Sequence, residues 1–117
     1  MAEHPKFVFR LTIKAGVAMG PGKADLLRAI EATGSITAAA KQLGMSYRTA
    51  WLLVQSMNEH FTEPLVIAGR GGATRGGATV TPTGHKVVVI YEKVQAEAAK
   101  AAAKHSAAFS KFLKPGV

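Results

Sequence analysis

Ser46, Tyr47, Arg48 and Thr49 bring two hydroxyls, a phenol and a guanidinium to one short stretch. All four form hydrogen bonds and none is acidic, an inventory suited to base edges and phosphate oxygens. The fork of Arg48 matches either a guanine edge or a phosphate. A second basic pair, Arg70 and Arg75, stands in the glycine-rich run Gly69–Gly77, and such a loop suits the backbone or the minor groove. Thr37 and Lys41 add candidate phosphate ligands, Thr37 through a helix N-terminus. Thr83 and Lys86 are weaker candidates of the same kind. Each residue taken alone reads equally well as solvated surface, so the elements around it must decide.

Those elements begin with 35–61, SITAAAKQLGMSYRTAWLLVQSMNEHF. Ser35 or Thr37 caps a helix over 36–43, whose small residues Ala38, Ala39 and Leu43 let it approach a neighbour closely. Gly44 supplies a turn with positive φ, Met45 points back into the core, and Ser46 caps a second helix over 46–61. Ala50, Val54, Met57 and Phe61 form the apolar face of that helix. This is a helix-turn-helix whose leading turn can enter a major groove. Trp51 flanks the apolar face and reads as a packing residue, while Leu52 falls opposite the core.

Residues 6–14 alternate with period two, Phe7, Phe9, Leu11 and Ile13 facing one way, and predict a half-buried strand. It needs a partner elsewhere in the chain or in a second subunit. The glycines and proline of 15–22 read as a turn region, and Gly20 and Gly22 lack the βαβ context of a nucleotide fingerprint. A helix over 23–33 turns Leu26, Leu27 and Ile30 inward and stops at Gly34. After the break at Glu63-Pro64, two short strands around Gly69–Gly77 form a hairpin over 65–81, a wing. Thr81 caps and Pro82 opens a long helix over 82–113. Its stripe of Val87, Ile90, Tyr91, Val94, Ala98 and Phe109 outruns a small core and predicts dimerisation.

The fold class is therefore mainly α with a small β-sheet. It is a winged helix-turn-helix domain over 1–86, with an N-terminal strand, followed by a long C-terminal dimerisation helix. The 117 residues suit one domain with an extra helix, and 48% apolar content suffices for a core. The net charge of +8 is spread along the chain and favours a polyanionic partner. Without cysteine there is no disulfide framework or thiolate metal site, and a reducing, cytoplasmic setting is expected. No apolar run approaches membrane-span length, and the N-terminal segment does not read as a signal peptide. His4, His60, His85 and His105 are scattered, and the acids form no recognisable pair. No catalytic residue, metal site or cofactor is expected.

Several pieces of the chain resemble the N-terminal DNA-binding domain of the ModE family of molybdate-responsive transcriptional regulators. They are Gly34-Ser35-Ile36, Ala39-Ala40, Ser46–Trp51, Met57-Asn58, the loop Gly69–Gly77 and Val80-Thr81-Pro82-Thr83-Gly84. More loosely, residues 20–95 are similar to the winged domain of LysR-type regulators. The resemblance implies a homodimer on a palindromic double-stranded operator. Ser46 to Trp51 would lie in the major groove, with Arg70 and Arg75 on the flanking backbone and the final helix in the dimer. It also implies that the first strand joins the sheet of the wing. Such regulators continue into effector-binding modules, whereas this sequence stops at Val117. Two readings follow, a short natural protein that takes its signal by another route or from a separate effector-sensing partner, or a fragment; the first is preferred, and molybdate binding by this chain is not expected. A non-specific architectural protein and a protein-interaction module are the competing readings.

Overall fold

The computed structural model describes residues 7–69 and 77–117. Strands β1 (Leu11–Lys14) and β2 (Val17–Met19) precede helices α1 (Pro21–Thr33), α2 (Ile36–Leu43) and α3 (Tyr47–His60). Strands β3 (Val66–Ala68) and β4 (Ala78–Val80) follow, then α4 (Pro82–Ser106) and a 3-10 turn over Ala107–Phe112. The expected helices are all present, with ends set by identifiable caps. Ser35 Oγ accepts the Ala38 N–H at 3.1 Å, and Ser46 Oγ accepts the Thr49 N–H at 3.0 Å. Gly34 and Gly44 both sit at φ 70°, the left-handed conformation that ends a helix without penalty to glycine. α1 starts at Pro21, two residues before the sequence-based boundary, because a proline at the first position costs no hydrogen bond.

The N-terminal segment differs from expectation. β1 pairs antiparallel with β2, inside the stretch read as a turn, and the described residues place no strand of this hairpin in the wing. Gly16, at φ 80°, makes the reversal possible within a few residues. A bulge between Thr12 and Lys14 breaks the alternation, leaving Ile13 exposed instead of facing inward with Phe9 and Leu11. Phe9 stacks on Tyr91 with ring centroids 5.3 Å apart, and the Tyr91 hydroxyl donates to the Phe9 carbonyl at 3.0 Å. The hairpin is thus held by α4.

Leu26, Leu27 and Ile30 of α1, Met57 of α3, Leu65 and Val88 are fully buried. They join Ile36, Ala39, Ala40, Ala50 and Val54 in one core. α1 is its centre, touching α2, α3, α4 and β4. On α2 the buried residues are Ile36, Ala39 and Ala40, while Ala38 faces solvent. Gly84 lies where the first turn of α4 crosses Leu65. A Cβ there would collide with the Leu65 carbonyl and approach Val80 Cγ1 to 2.8 Å. α4 measures about 37 Å at 1.5 Å per residue, yet nothing after Tyr91 is buried. The remainder projects, and the molecule reaches 58 Å along its longest axis. The expected single helix to residue 113 instead tightens into the 3-10 turn after Ser106.

Charge ties α1 to α4 across the outside of the core. Arg28 donates through Nε and a terminal nitrogen to both carboxylate oxygens of Glu92, at 2.9 and 2.6 Å, and to Glu31 at 2.7 Å. His85 Nδ1 lies 2.7 Å from the other oxygen of Glu31. The hydrogen bonds from Arg28 hold the Glu92 carboxyl below the ordinary value of 4.5 against partial burial. Burial pushes Glu31 up, but the hydrogen bonds from His85 and Arg28 together outweigh it and leave a net lowering. A carboxyl whose folded pKa is depressed stabilises the fold above its unfolded value and loses that contribution as pH falls through the folded one. The network is partly exposed, so solvent screens it and the effect is modest. Between pH 5 and pH 3, the melting temperature of the wild-type chain should therefore fall more steeply than that of Glu92→Gln (pH values of order the carboxylate range).

Candidate nucleic-acid interface

The leading turn of α3 is built to be both rigid and open. The Ser46 hydroxyl caps the helix and also donates to Thr49 Oγ1 at 3.0 Å. Ser46 and Thr49 therefore engage each other, and the geometry gives Ser46 a structural role first. Tyr47 and Arg48 are exposed, and among the described residues neither side chain has a hydrogen-bond partner within the chain. From behind, Ala50, Val54 and Met57 seat the helix on the core. Phe61 ends it as the C-cap residue and packs, half-buried, against the same core. Trp51 departs from its expected packing role, with 40% of its surface exposed, and Leu52 is exposed at 48%.

α2 braces α3 through the Gly44 turn, where the Met45 N–H reaches the Ala40 carbonyl at 3.0 Å. Thr37 in its first turn and Lys41 in its last are both exposed. The base of the wing lies against the start of this helix. The Ala78 N–H donates to the Gly34 carbonyl at 2.8 Å, and Ser35 bridges to Gly77. The N-terminus of α2 and the root of the hairpin thus form one edge. Arg70 and Arg75 fall outside the described residues. Thr83 donates to the Glu63 carboxylate, so it is not a free phosphate ligand, whereas Lys86 is exposed.

The predicted dimer stripe divides in two. Tyr91 lies in the chain's own core against Phe9, which removes it from the free face, and Val87 is half-buried on that core. Burial, then the charge of Asp25, pushes the Tyr91 hydroxyl up, so it serves as a neutral donor. Ile90 at 61%, Val94 and Phe109 are exposed, with Ala98 between them. Ile90 and Val87 also line an apolar groove of about 300 Å³ with Leu11, Ile13 and Phe61.

Asn58 is the residue that the site depends on and that residue-by-residue reading passed over. Its Oδ1 accepts the N–H groups of Leu65 and Val66 at 2.8 and 3.2 Å, and its Nδ2 donates to the Val66 carbonyl at 2.9 Å. It thereby fixes the start of the wing to the far end of α3. The signal in the sequence is faint: one asparagine near a helix end, within the Met57-Asn58 pair that is part of the resemblance given above. Asn58→Ala should strand two part-buried donors and cost about 1–3 kcal/mol in urea unfolding. Asn58→Asp, which keeps the acceptor, should recover part of that loss.

The sequence of residues 23–85 matches the model for the bacterial regulatory helix-turn-helix protein, lysR family. Among characterised relatives, the chain is 45% identical over 87 residues to the molybdenum-pterin-binding protein MopB of Rhodobacter capsulatus, covering 74% of this chain and 32% of that one. It is 36% identical over 94 residues to the molybdenum transport protein ModE of Azotobacter vinelandii, covering 79% and 35%. The chain thus spans about a third of the length of these relatives. In structure it superimposes on the CbnR DNA-binding domain solved with DNA, with a TM-score of 0.59 at 20% identity, covering 77% of this chain and 98% of that one. The fold is that of a LysR-type winged helix-turn-helix DNA-binding domain. With the family model matched over more than half its residues, the chain belongs to the lysR family of bacterial regulatory helix-turn-helix proteins.

Proposed function

We propose that this chain binds double-stranded DNA sequence-specifically, as the DNA-reading part of a homodimeric transcriptional regulator. The observation that carries this reading is the leading turn of α3. Tyr47, Arg48 and Thr49 face solvent there, while Ala50, Val54 and Met57 anchor the same helix from behind. A rigid helix with unspent donors at its positive end fits a major groove. Thr37 and Lys41 meet phosphates beside it. Arg70 and Arg75, in the sequence between β3 and β4, bring positive charge to the flanking backbone or minor groove.

The unit has two parts, a winged helix-turn-helix over 1–86 and a dimerising segment over 82–113. A second copy covers the free face of α4, where Ile90, Val94 and Ala98 lead towards Phe109. Two-fold pairing of the protein favours a palindromic operator. The molybdenum-related names of the relatives support a link between this regulation and molybdenum.

Selection from a random duplex pool, combined with the mass of the complex in solution, tests this reading. The expected result is a palindromic site occupied by two copies. Absence of binding to any duplex at low salt would overturn the proposal, and equal affinity for all duplexes would replace the regulator with an architectural protein. Arg48→Ala should cost about 1–3 kcal/mol at the selected site and much less on random DNA. Arg75→Ala should weaken all duplexes alike and reduce the salt slope by about one. Placing a lysine at Ile90 or Val94 should leave the fold intact and shift the solution mass towards monomer.

A further inference from the structure

Tyr47, Trp51 and Leu52 place three large exposed apolar side chains within the first six residues of α3. One exposed leucine on a surface is ordinary, but Leu52 has a particular position. It lies one turn beyond Arg48 on the outward side of the helix, with Gln55 next in line, directly opposite the buried Ala50, Val54 and Met57. No carboxylate interrupts this face before Glu59. The apolar surface is narrow and bordered by Arg48, Thr49 and Gln55, all exposed. A cationic and polar frame around a small hydrocarbon patch matches an anionic ligand that carries an isolated apolar group.

We propose that Leu52 is a specificity-determining residue that reads thymine in the major groove through its C5-methyl group. This inference rests on α3 being the groove-facing helix. The thymine methyl is the apolar feature of the major-groove edge, and leucine has no hydrogen bond to offer any other base. Opposite cytosine, the same side chain would cover the exocyclic amine without accepting from it, which disfavours that base. Arg48 and Leu52 are separated by about 6 Å along the helix axis, close to two base-pair steps of about 3.4 Å. The thymine should therefore lie one or two base pairs from the pair facing Arg48. Trp51 stands beside Leu52, 40% exposed, where it would flank that contact.

The test uses the selected duplex and replaces each thymine singly with deoxyuridine, which deletes the methyl and keeps every hydrogen-bonding group. For the full wild-type chain, one symmetry-related pair of positions should bind about 3- to 5-fold more weakly per methyl, the equivalent of one buried methylene. Leu52→Ala should bind the thymine and deoxyuridine duplexes equally. Leu52→Met should retain the preference, and Arg48→Ala should lower affinity while keeping the thymine-to-deoxyuridine ratio. Leu52 is a surface residue, and a melting curve for each variant confirms that it is folded. Specific binding with no deoxyuridine effect at any position overturns this inference and leaves the regulator reading standing. A preference that survives in Leu52→Ala also overturns it. Failure to bind any duplex, with the Leu52 patch instead required for binding another protein, overturns both readings together.

Discussion

The backbone at Leu65 and Val66 is where α3, the β3–β4 hairpin and α4 are fastened to one another. Asn58 of α3 accepts both of its N–H groups and donates to the Val66 carbonyl. The Thr81 N–H donates to the Leu65 carbonyl at 2.9 Å, and the Thr81 hydroxyl to that of Pro64 at 2.7 Å. The same hydroxyl caps α4 by accepting the Gly84 N–H at 3.0 Å. Gly84 then admits the Leu65 carbonyl into space that a side chain would occupy. Part-buried backbone groups left unpaired here would each carry a desolvation cost, so the three meet in one arrangement and hold it. The Leu65 side chain, fully buried, completes the junction from the core side.

This constraint explains why the surface of α3 is available for contact. Its inner face is occupied by the core and its C-terminal end by the clamp on β3, so the leading turn is held at both depth and angle without using its own outward groups. Ser46 and Thr49 stabilise the turn by bonding each other, which leaves Tyr47 and Arg48 to project from a preorganised helix end. Preorganisation matters because a helix end whose backbone ordered only on binding would lose conformational entropy at that moment. The root of the wing is fixed to Gly34 and Ser35 in the same way. The start of α2 and the base of the hairpin consequently belong to a single surface.

Much of this was legible in the sequence because it is written in short-range chemistry. Ser35, Gly44, Ser46, Thr81 and Pro82 mark helix ends by mechanisms that need only neighbouring residues. The periodicity of Leu26, Leu27 and Ile30 identified the inner face of α1 from the same kind of signal. What stayed hidden depends on long-range geometry. β2 is three residues long and sits between Gly16 and Gly20, where composition argues for a turn; only its pairing with β1 makes it a strand. The bulge that exposes Ile13 cannot be seen in an alternating pattern. Tyr91 fits the outward stripe of α4 until Phe9, 82 residues earlier, is found stacked against it. Trp51 illustrates the same limit, since a flank position on a helical wheel does not say how far the neighbouring helix extends.

α3 and α4 are pinned to the same few backbone atoms, which would join reading to assembly in the proposed dimer. In the proposed dimer paired along α4, the orientation of one long helix against the other would fix where the two α3 helices sit, because Asn58 of α3 and Thr81 at the start of α4 both bond the backbone at Leu65 and Val66. The alanines from Ala96 to Ala103 allow close approach of the paired helices, and close approach leaves few crossing geometries. Half-site spacing on the operator would then be a mechanical consequence of the Leu65 junction and the α4 crossing together. A change at either place would be felt at the DNA without touching any residue that contacts it.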